Sequence, residues 1–247
     1  MGWQSQPVAV GQPASSARLL AMRLLLLNPN TSVQITERLA ASARSALLPG
    51  DELHAETAQV GPPAIRCEAQ ALEAADRIVA MAEGFGATYD AVLVGISLDC
   101  GLAVARERLA PKPVIGMTQA ACLSAGLYGS RFGLLTIGSA MAPLYQAHVE
   151  ALGLGATLVG ISAPDLPQAF SAAAGDLSEE VLQALTAGSR ELIEQGAQSL
   201  VLAGAVLCGY ADALQSRLEW PVLDGMRCAV LQARVHLNAR SYEAPAA

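Results

Sequence analysis

Few of the 247 residues are aromatic: three Phe, five Tyr and two Trp make up 4% of the chain, and only 15% of residues are charged. A core without large rings has to be packed by Leu, Val, Ile and Ala, the usual filling of buried parallel sheets flanked by Ala-rich helices. Apolar residues reach 53%, which excludes a chain too polar to fold. A surplus of positive charge is missing too. Fifteen Lys and Arg against 22 Asp and Glu leave a net charge of -7, whereas a nucleic-acid partner favours a basic face. No apolar run approaches the roughly 20 residues that span a bilayer, so no membrane partner is expected. Histidine is scarce: His54, His148 and His236 lie far apart and no Cys-x-x-Cys pair accompanies them, so no zinc site is expected. Five cysteines, an odd number without short spacing, argue against a disulfide framework and for a reducing cytoplasm. A GxxxxGK[ST] phosphate loop and a GxSxG elbow are also absent, which disfavours phosphoryl transfer and serine hydrolysis.

What is present is an alternation. Short strand candidates, most of them β-branched or Leu-rich, at Leu24–Leu27, roughly His54–Gln59, Ala91–Gly95 and Val114–Met117 are separated by helix-length Ala-rich stretches. One of these, Glu68–Ala82, sets Leu72, Ala75, Ile78, Val79 and Ala82 at helical spacing. A second set of runs follows in the same order: Gly133–Ile137, Thr157–Ile161, Leu200–Gly204 and Val222–Leu223. This predicts an α/β protein built of βαβ units with parallel strands. The two sets are in register: Cys100-Gly101 with Cys208-Gly209, Ala105 with Ala213, and Pro113-Val114 with Pro221-Val222. We therefore expect two similar lobes, 22–130 and 131–237, each a parallel sheet flanked by helices, with a cleft between them. Residues 1–21, Gly-, Pro- and Ser-rich, read as a disordered leader without a signal-peptide core, and 238–247 as a C-terminal tail.

The Cys-Gly junctions suggest chemistry. Each follows the carboxyl end of a strand, where open α/β sheets bind ligands and helix N-termini favour a thiolate. A thiolate on one face of a substrate and a thiol on the other form a two-base pair. One removes a proton from a carbon next to a carbonyl or carboxylate, and the other returns it from the opposite side, with no metal or cofactor needed. Cysteine is also among the most buried residue types, so Cys67, Cys122 and Cys228 read as structural.

Six segments in order carry a resemblance. They are Leu24–Ser32, which includes Asn28-Pro29-Asn30-Thr31-Ser32, then Gly61–Ile65, and Asp99–Leu102 followed by Ala105-Arg106-Glu107. Pro113–Gly116, Arg131–Thr136 and Pro221–Gly225 complete the set. Across residues 22–237 the chain resembles the aspartate/glutamate/hydantoin racemase superfamily, in its hydantoin and allantoin racemase branch. The resemblance implies a two-lobed α/β fold, cofactor-independent racemisation or epimerisation by two cysteines across the cleft, and assembly as a homodimer. This chain departs from that pattern. Ile96 aligns with the first family cysteine and Gly204 with the second, while Cys100 and Cys208 each lie four residues later. Either the catalytic pair has moved together, or it has been lost.

The expected function is a racemase or epimerase acting on a hydantoin- or amino-acid-like small molecule, with Cys100 and Cys208 as the pair. The alternatives are a single-cysteine decarboxylase or isomerase of the same superfamily, or an inactive small-acid-binding homologue. Asn28, Asn30, Thr31 and Ser32, between the first strand and its helix, are candidate substrate donors, although such a sequence also makes a good turn and cap. Ser97, Gly101, Thr118, Thr136 and Gly209 are further candidates. Asp99 and Asp224 read as helix caps rather than bases.

Overall fold

The computed structural model describes residues 20–170 and 176–240. The first lobe runs β1 (Arg23–Asn28), α1 (Val33–Arg44), β2 (Glu52–Thr57), α2 (Glu68–Phe85), β3 (Ala91–Val94), α3 (Leu102–Leu109), β4 (Val114–Gly116) and α4 (Met117–Ala125). The second repeats that order as β5 (Phe132–Leu135), α5 (Ala142–Ala151), β6 (Leu158–Ser162), α6 (Glu179–Glu194), β7 (Ser199–Leu202), α7 (Ala211–Leu218), β8 (Val222–Asp224) and α8 (Gly225–Arg240). The strands form two four-stranded parallel sheets, β2-β1-β3-β4 and β6-β5-β7-β8. Equivalent strands hold equivalent places, and Ala91 of β3 and Ser199 of β7 begin their strands 108 positions apart.

The four leucines of β1 show why the run is apolar without alternation. All are fully buried, because both sheet faces are covered. Leu25 and Leu27 face Ala74, Ile78 and Ala82 of α2 in a small outer core. Leu24 and Leu26, pointing the other way, join the large core that includes Leu39 of α1, Ala121 of α4, Leu134 of β5 and Val230 of α8. Residues from both lobes therefore share one apolar interior. Ser32 caps α1 by accepting from the Ile35 amide, and Ser178 caps α6 through Val181.

The leader expected at 1–21 falls almost wholly outside the described residues. Leu20 is the exception that makes a contact, its carbonyl accepting from Arg234 of α8. The tail expected from 238 begins inside α8, which continues through Arg240. Among the described residues no helix is long and apolar enough to cross a membrane.

Candidate functional site

Six chain segments leave the carboxyl ends of their strands and meet between the lobes, the place where open α/β sheets hold ligands. From lobe 1 come Asn30 after β1, Ala64–Arg66 after β2, and Gly95–Ser97 after β3. From lobe 2 come Thr136–Gly138 after β5, Asp165–Pro167 after β6, and Gly204–Val206 after β7. Together with Met141 and Tyr145 they enclose a cavity of about 370 Å³, within the range of small-molecule sites. Its walls are aliphatic, including Ile35, Ile96, Ile137 and Val206. Exposed Arg66 and Asp165 stand at the mouth, whereas Thr136 and Tyr145 are buried.

The polar groups of the interior are linked across the lobes. Ser97 Oγ of lobe 1 and Tyr145 Oη of lobe 2 share a hydrogen bond of 2.5 Å, and the Thr136 side chain also pairs with Tyr145. Burial pushes the Tyr145 hydroxyl above its ordinary range, so it stays a phenol with one proton to donate and lone pairs to accept. Asp165 accepts from the Ser139 backbone and hydroxyl at 2.8 and 2.9 Å, and those bonds hold its carboxyl below the usual range.

Of the residues expected from sequence, Asn30, Ser97 and Thr136 line this cavity. The others serve the frame around it. Asn28 is fully buried and donates to Asn30 Oδ1, the Ser32 carbonyl and Thr36 Oγ1, so it ties the loop after β1 together. Thr31 reaches Gly61, Ser32 is the α1 cap, and Thr118 is buried, donating to the Ser97 carbonyl at 2.5 Å. Gly101 and Gly209 supply backbone in the left-handed region, with φ of 76° and 92°.

Cys100 and Cys208 are not brought together. Neither lines the cavity. Cys100 packs on the outer core beneath α2, and Cys208 lies in the large central core. The helices that follow begin at Leu102 and Ala211, so both cysteines precede the first helical turn expected to activate them. Burial, with the neighbouring charge of Asp99 second, pushes the Cys100 thiol up to about 11. Burial and Asp224 likewise raise Cys208. The shift runs opposite to the lowered value that a helix N-terminus would give.

Asp99 and Asp224 are caps, as expected, but Asp99 caps a different helix from the one it precedes. Its carboxylate accepts from the Thr118 and Gln119 amides at the start of α4, and from His148 Nε2 of lobe 2 at 3.0 Å. Asp224 accepts from Met226 and Arg227 at the start of α8, from Gly209, and from Ser42 of lobe 1.

Tyr145, Arg66, Asp165 and Phe170 were not anticipated. Tyr145 belongs to no motif, and its counterpart in the other lobe, 108 positions earlier, is Glu37. A signal that was available is its place as one of five tyrosines in an aromatic-poor chain.

The sequence profile of the Asp/Glu/Hydantoin racemase family matches residues 24–233. A hydantoin racemase of Paenarthrobacter aurescens is 29% identical, over 91% of this chain and 98% of that protein. An allantoin racemase from Klebsiella pneumoniae superposes with a TM-score of 0.81 at 28% identity, covering 89% of each chain. The maleate isomerase Iso from Pseudomonas putida S16, with maleate, shares the fold alone, with a TM-score of 0.66 at 13% identity over 89% of this chain and 93% of that one.

Proposed function

Because this chain belongs to the Asp/Glu/hydantoin racemase family, we propose that its interlobe cavity binds a small molecule with an apolar body and a carbonyl- or carboxylate-bearing edge. A hydantoin or an amino-acid-like acid has that form. The hydantoin and allantoin racemase relatives support an activity of the racemase, hence isomerase, type. One observation carries the reading: the Ser97–Tyr145–Thr136 hydroxyl group sits among aliphatic walls where the strand ends of both lobes meet. Phenol and hydroxyl donors there would hold a substrate carbonyl and draw charge from the adjacent carbon, which acidifies its proton.

The geometry gives no support to a thiol relay. A two-base pair has to reach one carbon from opposite sides, and Cys100 and Cys208 face different cores. Ile96 and Gly204, the positions that the sequence resemblance sets against the family's cysteines, line the cavity from opposite lobes, and neither can carry a proton. That pair favours a second reading, in which the ligand is bound without turnover.

The test is calorimetric binding of 5-substituted hydantoins and N-carbamoyl amino acids, followed by NMR of α-deuterium uptake in D₂O. We expect binding that weakens about tenfold in Tyr145→Phe, the size of one lost hydrogen bond. We also expect that any α-exchange by the wild type persists in Cys100→Ser and Cys208→Ser. Exchange abolished by either serine variant would restore the thiol mechanism, and binding without exchange selects the second reading. Failure of every compound to bind overturns the cavity as the site. Ile96→Cys with Gly204→Cys should introduce exchange. A Cβ at Gly204 meets nothing closer than the flexible Leu207 side chain at 3.3 Å.

A further inference from the structure

We propose that Arg66 selects an anionic ligand, so that the preferred occupant of the cavity is a small monocarboxylate rather than a neutral ring. This rests on the cavity being the binding site. Among the described residues three ionisable side chains line it: Arg66, Asp165 and Tyr145. Tyr145 is held as a neutral phenol, while Asp165 is a carboxylate that Ser139 orients without removing its charge and that makes no ion pair with Arg66. Among the described residues Arg66 alone brings positive charge to the lining, and no carboxylate lies within 4.0 Å of it.

The guanidinium is nevertheless placed. The Arg66 amide donates to Gln70 Oε1 at 2.7 Å, which fixes the turn ahead of α2. Its Cζ lies 4.3 Å from the centroid of the Phe170 ring, contributed by lobe 2. A ring against the face of a guanidinium uses the face and leaves the in-plane N–H groups open to a second partner. That edge is the part of arginine that matches a carboxylate in a bidentate pair. A neutral imide has no charge to return for stripping water from the guanidinium, whereas a carboxylate does. A ligand with its carboxylate on Arg66 at the mouth can direct a carbonyl toward the interior hydroxyls, with its side chain against the aliphatic walls.

A hydantoin and its ring-opened N-carbamoyl acid separate these cases. They share side chain and carbonyl groups, but at pH 7 the ring is largely neutral and the open form is a carboxylate. The probes are 5-(2-methylthioethyl)hydantoin and N-carbamoylmethionine, titrated calorimetrically into wild type, Arg66→Gln and Arg66→Lys. We expect the acid to bind wild type at least tenfold tighter than the ring. Arg66→Gln should lose that preference while its affinity for the ring stays within twofold, and Arg66→Lys should recover part of it. A wild-type preference for the ring, or an acid preference that survives in Arg66→Gln, overturns the proposal. If neither probe binds wild type, the cavity reading itself fails and this inference with it. Unchanged melting temperatures confirm that the exposed substitutions leave the fold intact.

Discussion

Cys100 and Cys208 each sit near a buried carboxylate, Asp99 and Asp224, and both charges act on the thiol in the same direction as burial. Cys67 is exposed. Iodoacetamide at pH 7.5 is therefore expected to label Cys67 first and to leave Cys100 and Cys208 unmodified, as read by peptide mass spectrometry. Labelling of Cys100 should rise only as pH approaches 11. The sign for stability follows. A folded-state value raised from 9.0 to about 11 leaves this thiol's contribution to stability intact below pH 9 and removes that contribution as pH climbs from 9 toward 11. Cys228, also raised to about 11 by burial, adds to the same fall. The repeated Cys-Gly pair was legible in the sequence and is real, but what both copies share is a glycine with positive φ. A Cβ on Gly101 would lie 2.6 Å from the Ala75 carbonyl oxygen. Which core each sulfur would enter depends on how α2 and α8 pack, and spacing does not record that.

The elements were far more legible than the site. All eight strands overlap the runs read from the sequence, and where both faces are covered, as along Leu24–Leu27 of β1 and Ala91–Val94 of β3, the run is continuously apolar. The edge strand β2 is partly exposed, mixes Glu52, His54 and Glu56 with Leu53 and Ala55, and starts two residues before the expected His54–Gln59. The helix caps hold a less visible relation. In lobe 2 the helix after the fourth strand is capped by Asp224, at the end of that strand. The equivalent residue in lobe 1 is Gly116, and the space its side chain would occupy is filled by Asp99, whose Cγ would lie 2.4 Å from a Cβ there. Position 207, equivalent to 99, is Leu. Gly116→Ala should therefore destabilise by roughly 1–3 kcal/mol through overpacking. That penalty should disappear in an Asp99→Gly background. A double-mutant cycle in urea measures the coupling, and additive effects would refute it.

Across the whole molecule, each cap carboxylate is held by a side chain of the opposite lobe: Asp99 by His148, and Asp224 by Ser42 at 2.5 Å. With Ser97–Tyr145 and the shared core, these contacts make the lobes interdependent. Hydrogen exchange in β1 and β3 is expected to match that in β5 and β7, with one unfolding transition by calorimetry. His148→Ala should lower the stability of both lobes together, by about 1–2 kcal/mol for the lost partner of a buried carboxylate. Loss of protection in lobe 2 alone would contradict this. The two-lobed plan could be read from the repeat. So could a cleft between the lobes, with Asn30, Ser97 and Thr136 in its lining. Tyr145 and Phe170 could not, since they lie outside the repeated positions and gain their meaning only when the lobes close on one another.

The exchanged address of the cap has a consequence for recombination. A crossover between the two halves that falls between position 99 and position 116 unites residues never found in one lobe. One product pairs Asp99 with an aspartate at 116, two negative charges for one helix start. The reciprocal product pairs leucine with glycine and leaves that helix start with no carboxylate. The segment from 99 to 116, like that from 207 to 224, has to be inherited as a block, and a library of half-chain chimeras should return viable breakpoints on either side of it and none within.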